Sequence, residues 1–217
     1  VLGETGKKNT TGHYRSLANK KLMCLIGMDG SGKTAQAFGL MRHLQKKEIR
    51  CKYVWFGTAY FLSYPVMIFL RTIGLTKTHR VAKGFLCSEH QYYRNKPVAK
   101  IWPWIQFFDT ILFLNLRVKF VLLQGYTIVC DRFIPDLLVE LMSDLKDDTI
   151  QKKLVGNLML HLMPKSTTLV LLDVSETTAW SRKDDVPSMQ YLTSRRAKYR
   201  QLARKLNITL ISADEPF

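Results

Sequence analysis

Leu22-Met23-Cys24-Leu25-Ile26-Gly27-Met28-Asp29-Gly30-Ser31-Gly32-Lys33-Thr34 is the stretch on which the fold turns. Its first five residues are an apolar run closed by glycine, and Ala37, Leu40, Met41 and Leu44 follow at helical spacing. The pattern therefore changes from buried strand to amphipathic helix within about ten residues. Between the two lies G-x-x-x-x-G-K-[ST], whose glycines let successive backbone N–H groups converge on phosphate oxygens. A helix starting at Lys33 adds its positive dipole end, Lys33 can reach the β and γ phosphates of a nucleotide, and Thr34 offers a hydroxyl to Mg²⁺. A plain strand-to-helix turn would explain the glycines but does not require Lys-Thr after them. The motif thus assigns Gly27, Asp29, Gly30, Ser31, Gly32, Lys33 and Thr34 to nucleotide phosphates.

Working outward, Cys51–Phe56, Thr127–Cys130, Leu169–Val174 and Thr209–Ile211 read as further strands. Helical segments lie between them, notably Ile101–Leu123, ended by Gly125 as a C-terminal cap. Strands alternating with helices imply a parallel sheet of about five strands covered on both faces. The 217 residues suit one larger domain. Residues 1–19 have no period and carry Gly3, Gly6 and Gly12, so a flexible lead-in without a secretory signal is expected, followed by a domain over 20–217. Thr76–Lys100 holds six Lys/Arg and one acid, and reads as an exposed basic loop or insertion.

Composition excludes disorder and fibrous repeats, with 47% hydrophobic and 23% charged residues. The 33 Lys and Arg outnumber 17 Asp and Glu, a net charge of +16 that attracts polyanions such as nucleotides, nucleic acid or acidic lipid heads. Cys24, Cys51, Cys87 and Cys130 form no Cys-x-x-Cys pair, and Cys24 and Cys130 sit in apolar runs. Reduced thiols, and with them an intracellular, cytoplasmic protein, are expected. Tyr60–Leu70 and Ile101–Leu116 fall short of the ~18 charge-free residues of a membrane span, and Asp109 interrupts the second.

Asp131-Arg132 ends a predicted strand, at the edge where ligands bind in open parallel sheets. A carboxylate there can hold Mg²⁺ through water or orient an acceptor, and the arginine can fork onto a phosphate. The plainer alternative is a salt-bridged pair at a strand end, and Asp173 carries the same alternative more strongly. Farther on, no acid occurs from Val186 to Ala213, while Leu192, Tyr199, Ala203 and Leu206 share a helix face. Arg195 and Arg196 fall three and four places after Leu192, on nearly the same side. Together with Arg182 they suit a mobile lid over about 182–205 that supplies cations to a migrating phosphoryl group. Surface charge for nucleic acid is the other reading of these arginines.

In order and spacing these motifs resemble the thymidylate kinases. Gly27–Gln36, reading GMDGSGKTAQ, is similar to that family's phosphate loop, with its aspartate at Asp29 and its glutamine at Gln36. Gly125–Phe133 resembles its strand ending in Asp-Arg-Tyr; Leu169–Val174 with Arg182 resembles its next strand and lid entry, and Arg195, Arg196 and Tyr199 its lid helix. The resemblance implies a P-loop NTPase fold of three layers, α/β/α, with a helical lid. It further implies transfer of the γ-phosphoryl of ATP, with Mg²⁺, to a nucleoside monophosphate, dTMP first. Lys33 and the loop amides would hold the donor phosphates, Thr34 and Asp131 the Mg²⁺, Arg132 the acceptor phosphate, with Asp29 near the acceptor. Arg182, Arg195 and Arg196 would neutralise the transition state. Homodimerisation through helices that cover the sheet, such as Ile101–Leu123, also comes with the resemblance.

On the acceptor side Trp55–Ala59 carries no charge where the family keeps an arginine, so Arg71 is the substitute for the acceptor phosphate. Phe107 falls on the family's base-stacking phenylalanine and Ile111 on its base-reading arginine, and Asp109 offers a carboxylate nearby; Trp102, Trp104, Phe107 and Phe108 could stack a base, but such an aromatic cluster in a helix is more often core. Two other readings therefore stand beside a thymidylate-like kinase. One is a P-loop kinase for another small acceptor; the other is an ATP-binding, nucleic-acid-associated module without transfer.

Overall fold

The computed structural model describes residues 22–57, 61–80 and 84–215; the expected lead-in and the domain start near Lys20 lie outside them. The sheet has five strands in the order β2-β5-β1-β6-β7, all parallel: β1 (Leu22–Ile26), β2 (Cys51–Trp55), β5 (Thr127–Asp131), β6 (Thr167–Asp173) and β7 (Thr209–Ser212). From β1 the chain crosses to the edge at β2 and returns to β5 between them. It then crosses β1 to β6 and β7, so the ends of β1 and β5 open side by side at one edge.

Alternation along β1 divides the core into two layers. Leu22, Cys24 and Ile26 face a large cluster with Ile128, Cys130, Leu138, Leu192 and Leu202. Met23 and Leu25 face a smaller one with Val129, Ala37 and Leu44. The second layer belongs to α1 (Lys33–Lys46) and the first to α3 (Lys96–Phe113), α5 (Ile134–Asp144) and α8 (Met189–Leu206), giving helices on both faces. Because β1 and β5 are buried on both sides, β1 is apolar throughout and β5 is apolar over Ile128–Cys130, between Thr127 and Asp131, without polar alternation.

Three elements depart from the expectation. Thr76–Lys100 contains an antiparallel hairpin, β3 (Thr76–Arg80) with β4 (Leu86–His90), pairing Thr76 with His90 and Arg80 with Leu86. In β4 only Cys87 is buried, so no apolar face marked the register. The Ile101–Leu123 run is no single α-helix: α3 passes into a π-helical turn at Leu114–Lys119 and then α4 (Phe120–Leu123). Gly125 caps it as expected, with φ +78 and its N–H on the carbonyl of Leu122. Finally, the expected lid helix belongs to the body of the domain. Leu192, Tyr199, Leu202 and Ala203 of α8 are core residues, and the segment between α7 (Glu176–Arg182) and the first turns of α8 lines a cavity with Lys183, Asp185, Ser188 and Tyr191.

Cys24, Cys51, Cys87 and Cys130 are all free thiols. No helix of the described residues is long and apolar enough to cross a membrane.

Candidate functional site

Gly27–Gly32 leaves the end of β1 and enters α1 directly. Gly30 holds φ +81 and runs so close to α7 that a Cβ there would meet the Ala179 carbonyl at 2.6 Å. Gly32, at φ +81, is the N-cap of α1, and no side chain caps that end. The first-turn N–H groups and the positive end of the helix dipole are thus turned toward whatever occupies the loop. A cavity of about 300 Å³ opens there, lined by Gly30, Gly32, Lys33, Thr34, Asp131 and Arg132, with Trp55 and Asp29 at its sides.

Lys33 is not the exposed side chain its charge suggests. It is 6% exposed, and Nζ donates to the carbonyls of Gly27 and Met28, each at 2.8 Å. Burial, aided by Arg132, pulls its ammonium down to about 8 against the opposing pull of Asp136, Asp29 and Asp131. Thr34 donates from Oγ1 to Asp131 Oδ2 at 2.5 Å, and Tyr53 donates to the same oxygen at 3.0 Å. A hydroxyl and a buried carboxylate with hard oxygens fit Mg²⁺, which takes few protein ligands and completes its shell with water and phosphate oxygens.

Arg132 follows β5 in a left-handed conformation, φ +68, while its N–H stays on the Leu25 carbonyl at 2.9 Å. That costly backbone geometry for a non-glycine residue turns its guanidinium back over the loop. There Nη2 donates to Asp29 Oδ1 at 2.7 Å. Asp29 Oδ2 accepts from Tyr191 at 3.0 Å, and Lys183 Nζ stands 3.5 Å from Oδ1. Burial would push the Asp29 carboxyl up, but Arg132, then Lys33, Arg195 and Lys183, hold it well below the usual carboxylate range. The loop aspartate thus joins the end of β5 to α8.

Beneath the loop, Asp136 is fully enclosed. It accepts from Phe133 N–H at 2.8 Å, from Tyr199 Oη at 2.7 Å and from Gly27 N–H at 3.4 Å. Replacing Asp136 by alanine is expected to lower stability by about 3 kcal/mol, and Tyr199→Phe by about 1 kcal/mol. Because the two share one hydrogen bond, the double variant should cost less than the sum. Urea unfolding of the three variants measures this, and strictly additive costs would deny the coupling.

The lid arginines separate into three environments. Arg195 is 6% exposed and lies 4.9 Å over the Tyr191 ring, with Nη1 3.7 Å from Glu140, and its buried Nε has no hydrogen-bond partner. It lines both a cavity of about 180 Å³ beside Arg132 and a larger one of about 780 Å³. Arg196 instead forks onto Asp173 at 2.9 and 3.1 Å and reaches Glu176 at 2.7 Å. Asp173 also accepts from Arg200 at 2.7 Å, so it ties α8 to the sheet. Arg182 donates to the carbonyls of Ala213, Asp214 and Glu215, holding the segment after β7. Arg182 and Arg196 are therefore not brought to the loop, whereas Arg195 is.

The expected acceptor residues are also redistributed. Phe107 is packed against the core between Trp104 and Phe108 and lines none of the three cavities. Arg71, on the last turn of α2 (Ser63–Thr72), is exposed and lines none of them either. Asp109 accepts from the N–H groups of Phe61, Leu62 and Ser63 and from the Ser63 hydroxyl, so it caps α2 across 46 residues of chain. Tyr191, Lys183 and Glu140 line the cavities and went unnoticed in the sequence, and Trp55, noted there only for the lack of charge in its segment, lines two of them. Trp55, an aromatic at the last position of a strand and 55% exposed, carried a legible signal.

The large cavity lies between β4, α5 and the segment before α8, and shares Asp29 with the loop. Glu89, Glu140, Asp144, Asp185 and Asp29 face it against Lys146, Lys183, Arg195 and His90. Burial, and then Glu140, push the Asp144 carboxyl well above its ordinary value. A comparison with protein-family models finds no match to the chain, and neither does one with curated proteins.

Proposed function

We propose that the chain is an ATP-dependent phosphotransferase of the P-loop kinase type, acting on a nucleoside monophosphate, with dTMP as the first acceptor to test. The observation that carries this reading is the meeting of Lys33, Thr34, Asp131 and Arg132 around one cavity at the ends of β1 and β5. Lys33 would leave the Gly27 and Met28 carbonyls for the β and γ phosphates, while the first-turn amides of α1 hold their oxygens. Thr34 and Asp131 would hold Mg²⁺, which supplies charge neutralisation across the β and γ phosphates. Arg132 would exchange Asp29 for the acceptor phosphate. The bond between the γ phosphorus and the β–γ bridging oxygen breaks as an acceptor oxygen bonds to that phosphorus, and Arg195 offsets the charge that develops.

A second acceptor class has its own support. In a chain of net charge +16 the large cavity gathers five carboxylates, a lining that favours hydroxyl or amine donors over a phosphate. Under that reading the acceptor carries a free hydroxyl and no phosphate.

The test is ADP production, coupled to a reporter enzyme, across nucleoside monophosphates and unphosphorylated polyols and amino alcohols. Turnover with dTMP and other pyrimidine monophosphates supports the first class, and turnover confined to unphosphorylated acceptors the second. ATP binding without ADP release, beside salt-steep binding to an oligonucleotide, would replace both with a nucleic-acid-associated module.

A further inference from the structure

The site leaves one large feature of the molecule unused. Along α3, the π turn and α4, residues Trp104, Phe108, Leu112, Leu116 and Phe120 recur every fourth position, and all are exposed, from 37% at Trp104 to 59% at Phe120. Ile101 and Leu123 lengthen the stripe, at 56% and 86%. An α-helix turns in about 3.6 residues, so a row of every fourth residue slides steadily around it. The π turn at Leu114–Lys119 winds more residues per turn and rotates the row back, which keeps the stripe on one side. On α2, Tyr64, Ile68 and Phe69 are about half exposed or more. Asp109 joins the two elements by holding the N–H groups of Phe61 and Leu62, themselves exposed apolar residues.

Charge says what covers this face. Residues 49–130 contain eleven Lys and Arg and only two acids. Of those acids, Asp109 is buried as a cap and Glu89 faces the large cavity. Lys100 lies one turn before Trp104, Arg117 and Lys119 flank Leu116, and Arg71 ends α2, all exposed. A second copy seated on this face would set cations against cations, since a twofold interface repeats the same patch on both sides. Nucleic acid would match the cations but leave the aliphatic stripe without a partner. An anionic bilayer surface satisfies both, with apolar side chains at the acyl boundary, Trp104 and Tyr64 at the headgroup level and cations on acidic lipid.

We propose that the face formed by α2 and the α3–π–α4 run docks on an anionic lipid bilayer, lying in its surface without crossing it. The surface is independent of phosphoryl transfer, so its test does not depend on an acceptor. The full chain is sedimented with vesicles of phosphatidylcholine alone and of phosphatidylcholine with phosphatidylglycerol. Binding to the anionic vesicles is expected to be at least about tenfold stronger, and weakened but not abolished by added salt. Phe108→Gln with Leu116→Gln should lower it by about tenfold or more, and Arg117→Gln with Lys119→Gln should reduce the preference for anionic lipid. If the first pair melts early by circular dichroism, Ile101→Gln with Leu123→Gln, at more exposed positions, replaces it.

Binding that is unchanged by the stripe variants, or fully competed by soluble glycerol phosphate, would overturn the proposal. So would failure to bind vesicles together with a dimer that the stripe variants dissociate.

Discussion

Lys33→Ala is expected to cut phosphoryl transfer by about 10²–10³, the loss that follows removal of one preorganised cationic donor, on the order of 3 kcal/mol. The same substitution has a signature in stability, because Nζ is buried on the carbonyls of Gly27 and Met28. Burial lowers the ammonium from 10.5 to about 8 in the folded chain. Between those two values the unfolded chain binds the proton and the folded chain does not, so this group makes stability rise with pH across that window. The rise corresponds to about 3 kcal/mol. Other groups titrate nearby, among them the buried tyrosines, but they are common to both proteins. The difference in unfolding free energy between wild type and Lys33→Ala isolates Lys33, and should grow from pH 8 to 10.5. Parallel curves would contradict the buried lysine, and wild-type turnover in the variant would sink the phosphate-loop assignment.

Strands β1 and β5 and the loop between β1 and α1 were legible because burial on both faces leaves apolar runs at Leu22–Ile26 and Ile128–Cys130, and the glycines of Gly27–Gly32 mark the turn that follows the first of them. What could not be read depends on partners distant along the chain. Asp109 looked like a carboxylate for an acceptor, yet it answers the orphan N–H groups of Phe61, Leu62 and Ser63 at a helix start 46 residues away. Asp136 gave no signal, since its three hydrogen-bond donors, Gly27, Phe133 and Tyr199, meet only in the fold. Lys33 illustrates the same limit for burial: nothing in the sequence marks this lysine as buried, and the loop's own carbonyls take it inside. The hairpin β3–β4 was missed for a different reason. Its ladder is made by backbone pairing among Thr, Lys, His and Ser, with no alternation of apolar residues to announce it. The π turn likewise leaves no pattern in composition, and shows only in the line of exposed residues it keeps straight.

Arg195 and Arg196 are adjacent in sequence, and the two are expected to fail in different ways. Arg195→Met should lower kcat by about 10²-fold while changing KM for ATP by no more than about threefold, because its guanidinium lines the cavities beside Arg132 and not the one at Gly30–Thr34. It also brings a favourable condition for that work: a buried Nε without a partner, over the Tyr191 ring, is a donor not yet committed to a structural bond. Arg196→Met removes the fork onto Asp173 and the bond to Glu176, which fasten α8 to the end of β6 and to α7. Charge-assisted bonds of this kind at a partly buried site contribute about 1–3 kcal/mol, so Arg196→Met should lower the unfolding free energy by that order and leave kcat within a few-fold. Steady-state kinetics and urea unfolding on the two single variants separate the roles. If Arg195→Met retains turnover while binding to a DNA or RNA oligomer weakens and its salt slope shrinks, the arginine serves nucleic acid and its place in transfer is lost. If instead the two variants lose kcat equally without loss of stability, both arginines reach the transferring group, and α8 must move away from Asp173 during turnover to let them.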